Sequence, residues 1–113
     1  MIEQFSFTDF QRNILPGYKN TVDAAGSMEE IIGHFNDTSG QLFDLIFQDQ
    51  FVTEDGDIAF MPEGAPPYVL NQRLLGSEVF FYAWKGTDLP LMITFLANLA
   101  KQRYTSIAKG KFG

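Results

Sequence analysis

The stretch SEVFFYAWKG, residues 77–86, decides the fold class, because it holds four aromatic side chains within five positions. Aromatic residues are enriched in β-strands, so the stretch predicts a strand over residues 78–84. Successive side chains of a strand point to opposite faces. Both faces of this strand would be apolar, and the fold depends on which of them is covered and by what.

Gly76-Ser77 reads as a two-residue turn that joins this strand to another over residues 68–75. The turn fixes the register of the hairpin, so Arg73 lies across from Phe80, within reach of a cation–π contact. One face, which includes Val79 and Phe81, is mainly aliphatic and suits packing under helices. The other mixes aromatic and polar groups, as the centres of protein interfaces do. The candidate site residues on that face are Asn71, Arg73, Phe80, Tyr82 and Trp84. This mixed aromatic face can serve as core, as a homodimer or protein-partner surface, or as a small-molecule pocket.

Helix signals dominate the first half of the chain. A weakly alternating segment, residues 2–7, is a candidate strand, and the form of a capping box at residues 8–11 predicts a short helix that ends before Pro16-Gly17. A second capping box at residues 27–30 opens a helix through about Asn36, and the polar residues 37–40 interrupt it. Residues 41–50 have helical spacing, although a strand also fits their second half.

The period then changes from helical to alternating. Residues 51–60 predict a hairpin around Asp55-Gly56, a favoured turn pair, and residues 87–90 begin a long C-terminal helix. The expected fold class is therefore α+β. It has an antiparallel sheet of about four strands, formed by two hairpins and the candidate N-terminal strand, with helices packed mainly on one face. The 113 residues fit a single globular domain, residues 1–113.

Charge is divided unevenly along this cysteine-free chain of net charge −6. Ten carboxylates and no Lys or Arg lie between Asn20 and Gln72, whereas five bases and one acid follow from Lys85 onward. Such an acidic stretch repels nucleic acid and favours basic partners, unless the two blocks pair within the molecule or serve solubility alone. The acidic surface is expected to include Glu54, Asp55 and Asp57, three carboxylates crowded at the tip of the first hairpin.

Signatures of catalysis are weak. Glu30, His34 and Asp37 share a helix face, but a set with one histidine makes a poor metal site. The serines lack the G-x-S-x-G context of a nucleophile. Neither a metal nor a cofactor is expected, and the sequence favours a non-enzymatic protein without deciding the question.

The predicted function is a small acidic protein-interaction domain of the inhibitor or accessory type, with self-association as a homodimer included. The alternative is a small-molecule-binding protein or enzyme with an aromatic pocket around Phe80, Tyr82 and Trp84. The expected partner is a protein or a second copy, and neither nucleic acid nor a membrane. No signal peptide or membrane span is recognised in the sequence, so the expected location is the cytoplasm.

Overall fold

Two long helices, α3 (Met28–Phe47) and α6 (Leu89–Gly110), pack against each other in the computed structural model, which describes residues 6–47 and 57–110. Each presents an apolar face at helical spacing. The buried side chains are Ile31, Phe35, Leu42 and Phe43 of α3, and Leu89, Met92, Ile93 and Leu96 of α6. The long C-terminal helix predicted from the sequence is confirmed.

The described part of the chain is mostly helical, and its sheet has two strands. Strand β1 (Ile58–Phe60) pairs antiparallel with β2 (Tyr68–Leu70), so that Ala59 lies opposite Val69. The predicted four-stranded sheet is wrong for residues 71–75 and 78–84, which are not strands. The predicted N-terminal strand up to residue 5, the strand at residues 51–54 and the Asp55-Gly56 turn lie outside the described residues.

The first helical segment begins two residues earlier than predicted. Ser6 caps α1 (Phe7–Asp9) through its Oγ, which accepts from the Asp9 backbone N–H at 3.1 Å, and the Asp9 carboxylate accepts from the Ser6 N–H at 3.2 Å. The same carboxylate also accepts from the Ser6 hydroxyl at 2.9 Å, and the hydrogen bonds from the Ser6 N–H and hydroxyl favour its ionised form and lower the pKa of Asp9. The capping box is therefore Ser6–Asp9 rather than residues 8–11.

The predicted turn at Pro16-Gly17 is wrong, because the chain stays helical there. A π-helical segment, Phe10–Ile14, leads directly into α2 (Leu15–Ala24), and Pro16 lies in the first turn of α2. Pro16 has no backbone N–H and so donates no hydrogen bond to the preceding turn. The wider π turn also changes the spacing before Pro16, where an α-helix would bring the ring against the carbonyl four residues earlier.

Helix α3 begins as the second capping box predicts, and it continues further. Ser27 Oγ accepts from the Glu30 N–H at 3.2 Å, and the Glu30 carboxylate accepts from the Gly26 N–H at 2.9 Å. The predicted interruption at residues 37–40 is wrong, because this segment lies inside a continuous helix of 20 residues. Burial of Phe35 and Leu42 on one face outweighs the low helix propensity of the polar and glycine residues between them.

Two short helices replace the second predicted hairpin: α4 (Gln72–Leu75) and α5 (Glu78–Gly86). Asn71 caps α4 through its Oδ1, which accepts from the Arg73 N–H at 3.3 Å. Ser77 caps α5 in the same way, accepting from the Phe80 N–H at 3.3 Å. Gly76 and Ser77 therefore connect two helices, and the strand register inferred for this region does not exist.

Two side-chain hydrogen bonds join α2 and the residue that follows it to α6. The buried Tyr18 hydroxyl donates to the Leu96 carbonyl at 2.6 Å, and the Arg103 Nε donates to the Ala25 carbonyl at 2.9 Å, where α2 has just ended. Burial raises the pKa of Tyr18 well above its usual value, because the charged phenolate loses its hydration.

The continuity of α3 predicts that Gly40→Ala stabilises the protein. A Cβ added at Gly40 meets nothing within 4 Å, and alanine is favoured over glycine inside a helix by about 0.5–1 kcal/mol. Urea unfolding should show this gain. In the β1–β2 loop, Gly64→Ala is the control of opposite sign, because its Cβ would lie 2.8 Å from the Pro66 carbonyl oxygen. A loss of stability in Gly40→Ala would contradict a continuous helix.

Tyr18→Phe should change how stability depends on pH. Near pH 8 the variant should be less stable by about 0.5–1.5 kcal/mol, because it loses the hydrogen bond to Leu96. Since the folded-state pKa of Tyr18 is raised, its contribution is complete below the unfolded pKa of about 10 and is lost as the pH rises above it. The wild type should therefore lose its advantage by about pH 11. Urea unfolding of both proteins at the two pH values measures it, and a constant difference would contradict the linkage.

Candidate functional site

The polar residues predicted to bind a partner build the approach to α5 instead. The Asn71 N–H donates to the Asp57 carbonyl at 2.8 Å, and the Asn71 side chain caps α4. Arg73 donates from Nε and Nη2 to the two carboxylate oxygens of Asp57, at 3.2 and 2.9 Å. This paired geometry is the strong form of an arginine–carboxylate contact. It fixes the start of the β-hairpin to α4.

The ion pair corrects two expectations. Asp57 does not belong to an acidic surface, since its side chain is 3% exposed against 39% for Arg73. Arg73 is held by Asp57 and does not lie across a hairpin from Phe80. Glu54 and Asp55, the other two members of the predicted acidic surface, lie outside the described residues.

The aromatic residues of α5 divide between its two sides. Phe80 is buried against Phe43 and Phe47 of α3, with ring centroids 5.9 and 5.7 Å apart. Trp84, one turn later and half-buried, stacks on Phe80 at 5.4 Å. Tyr82 lies on the opposite side and is 72% exposed. Phe80, Tyr82 and Trp84 therefore do not share one face, contrary to the strand interpretation.

The solvent side of α4 and α5 carries an apolar cluster, which we call the α4–α5 patch. Its members are Leu75, Val79, Phe81 and Tyr82. Ten large apolar side chains are exposed in the described residues, and four of them fall within these eight consecutive positions. Leu75 is 58% exposed and Phe81 is 46% exposed. Val79 and Phe81 were expected to pack under helices, and this expectation is wrong.

The patch borders a shallow groove of about 260 Å³, between the end of α4 and the first two turns of α5. Phe81 and Tyr82 meet edge to face, with ring centroids 6.1 Å apart. The Lys85 ammonium lies 4.6 Å from the centroid of the Phe81 ring, in cation–π geometry. Glu78, at the start of α5, is exposed beside the groove.

Elsewhere, several of the residues considered as weak catalytic candidates take part in helix capping. His34 and Asp37 line a polar cleft of about 260 Å³ between α2 and α3, whereas the Glu30 carboxylate accepts from Gly26. Ser27 and Ser77 are helix caps. Ser39 is buried on the core side of α3, where its hydroxyl has no hydrogen-bond partner among the residues that the structure describes.

A more apolar cavity, of about 410 Å³, lies between the start of α3 and the last turns of α6. Met28, Ile31, Tyr104 and Ile107 contribute to its walls. Its polar neighbours are the Ser27 cap and the tyrosine. None of the predicted site residues that the structure describes lines it.

Comparison with known proteins leaves the residues above as the guide to function: no family model, curated protein or solved structure matches the chain. Among the residues that the structure describes, no helix is both long and apolar enough to cross a membrane. The same residues hold no group of three His, Cys, Asp or Glu side chains placed to bind a metal ion.

Sequence reasoning missed Leu75, Glu78, Val79, Phe81 and Lys85. A helical signal for α5 was present, because Ser77 precedes Glu78 in an N-cap position and the apolar core positions Phe80 and Trp84 are four residues apart. The aromatic content of the segment outweighed this signal and favoured a strand.

Replacing Arg73 tests the connection between the hairpin and α4. Arg73→Met should destabilise the protein by about 1–3 kcal/mol, because it leaves the buried Asp57 carboxylate without the guanidinium. The expected loss of stability is smaller than for a fully buried ion pair, because Arg73 is partly exposed. The matched control is Lys19→Met on the exposed side of α2, which should change stability by no more than about 0.5 kcal/mol. Equal urea midpoints for the two variants would contradict this role of Arg73.

Proposed function

We propose that this chain is a small acidic protein-interaction domain without enzymatic activity, and that the α4–α5 patch is its contact surface. The observation that supports the proposal is the exposure of Phe81 and Tyr82 on a helix whose other side is anchored in the core. Contiguous exposed apolar groups of this kind mark interaction surfaces. Aromatic side chains are enriched among the residues that contribute most to binding.

The anchoring of α5 suits it to binding without rearrangement. Phe80 packs on α3. At the C-terminal end of α5, Thr87 Oγ1 donates to the Ala83 carbonyl at 2.6 Å and accepts from the Leu89 N–H at 3.2 Å, so it joins α5 to the start of α6. A surface held rigid before binding loses less conformational entropy in the complex. The proposed role is that of an inhibitor or accessory factor, which acts by occupying a partner's surface.

The charge of the molecule narrows the partners in this proposal. A net charge of −6 disfavours nucleic acid and anionic membranes, and it favours a basic surface on any partner other than a second copy, for which local charge pairing has to offset the net repulsion. Asp23, Glu29 and Asp44 are exposed acids that can contribute to this preference. The proposal also includes a cytoplasmic location, because a chain without cysteine needs no oxidising compartment to fold.

The alternative of a small-molecule site around Phe80, Tyr82 and Trp84 has less support. Phe80 is buried on α3, and Tyr82 projects into solvent from the other side of α5. A ligand pocket needs convergent groups in a concave site, and these side chains diverge.

Photo-crosslinking in cells that make the protein tests the contact surface. Tyr82 is replaced by p-benzoylphenylalanine, and the same residue at Leu45, an exposed apolar position on α3, serves as the control. After irradiation we expect a defined protein adduct at position 82 and none at position 45, with either a second copy or another protein as the adduct. Binding of that protein, once purified, should weaken by about tenfold to a hundredfold in Tyr82→Ser. No adduct at position 82, or equal adducts at both positions, would contradict the proposed function.

A further inference from the structure

We propose that the partner of the α4–α5 patch is a second copy of this chain, with the two α5 helices packed antiparallel about a two-fold axis. The proposal rests on the proposed function and commits it to self-association. Four exposed residues of α5 carry it: Glu78, Phe81, Tyr82 and Lys85, which we call the α5 stripe.

The α5 stripe lies on a single side of the helix. Its members occupy positions i, i+3, i+4 and i+7, the spacing that places side chains along one helix face. Phe80 and Trp84 lie on the other side, packed on the core. All four side chains of the stripe therefore lie on the solvent side of α5.

The order of chemistry along the stripe is its own complement. An acid begins it, two aromatics form its centre and a base ends it. In a two-fold interface residue i contacts residue j while j contacts i. An axis midway between Phe81 and Tyr82 places Glu78 opposite the other copy's lysine at position 85, and Phe81 opposite the other copy's tyrosine at position 82. Both charges and both rings are then matched twice. A parallel arrangement would place like charges together.

Interaction with the helix dipole explains the charged residues of the α5 stripe but not its aromatic residues. An acid near the start of a helix and a base near its end each stabilise it, which accounts for the signs of Glu78 and Lys85. It does not account for two large aromatic side chains held in solvent between them. Reversing the charges separates the two roles, because loss of the dipole contribution changes stability, whereas loss of pairing changes mass in solution.

The size of the surface sets the expected affinity. Helix α5 has nine residues and is about 13 Å long. Even with Leu75 and Val79 included, the contact falls in the class of small, transient interfaces. We expect a dissociation constant between about 10 µM and about 1 mM, so dimerisation depends on concentration in that range.

Charge reversal tested by sedimentation velocity provides the experiment. Glu78→Lys alone makes both charged positions of the stripe basic, and Lys85→Glu alone makes both acidic. Each single variant should dimerise at least about tenfold more weakly than the wild type, because two attractive pairs become repulsive. The double variant Glu78→Lys/Lys85→Glu should dimerise as the wild type does. An equimolar mixture of the two single variants should form a mixed dimer.

Two control variants test whether the effect of charge reversal is specific to the α5 stripe. Glu29→Lys on α3 and Lys109→Glu on α6 make the same charge changes at exposed positions elsewhere, and they should leave dimerisation unchanged. Circular dichroism and thermal melting establish that every variant is folded. For any variant that unfolds, Phe81→Ser/Tyr82→Ser takes its place and should be monomeric throughout the range.

The outcomes distinguish failure of the second-copy proposal from failure of the proposed contact surface. A wild type that stays monomeric to about 1 mM, or single and double variants that dimerise equally, would overturn the second-copy proposal. If position 82 still forms an adduct with a different protein, the contact surface stands with another occupant. If no adduct forms there, the proposed function fails as well.

Discussion

The packing of Phe80 between Phe43 and Phe47 sets the orientation of α5, and the outer surface of the molecule follows from it. One buried ring on a short helix defines which side faces inward. Trp84, one turn further, extends the same contact. Since a helix turns by about 100° per residue, Tyr82, which lies midway between them in the chain, is then directed to solvent. Because Phe80 and Trp84 pack on the core, the aromatic residues Phe81 and Tyr82 of the same helix form an apolar outer surface.

Polar contacts along the chain bring α5 to that position. The pair of Asp57 and Arg73 holds the base of the β-hairpin to α4, and Asn71 joins the same strand end to the α4 cap. Gly76 and the Ser77 cap then restart the helix in a new direction. The residues selected from the sequence for binding, Asn71 and Arg73, thus act in positioning. The surface they position is formed by other residues.

The sequence predicted the elements whose local signals and burial agree. The Ser27 cap, the long C-terminal helix and the β1 strand at residues 58–60 belong to this group. It failed where tertiary packing opposed a local preference. Asp37 to Gly40 reads as a break, yet α3 passes through it because Phe35 and Leu42 are buried on either side. Residues 78–84 favour a strand by composition, yet Phe80 and Trp84 gain more from packing at helical spacing. The candidate site was predicted only in its aromatic character, because the assignment of each ring to core or solvent depends on that helix.

The stacking of Trp84 on Phe80 gives the molecule an internal optical reporter. Trp84 is the only tryptophan, and its ring meets those of Phe80 and of Tyr68 on β2, with centroid distances of 5.4 and 6.3 Å. Its indole therefore lies where α5 and the β-hairpin meet, on the inner side of the helix. Its fluorescence responds to separation of α5 from the hairpin and is shielded from what binds outside. Emission that stays constant while the oligomeric state changes would identify an assembly of intact folded units rather than an exchange of helices between them.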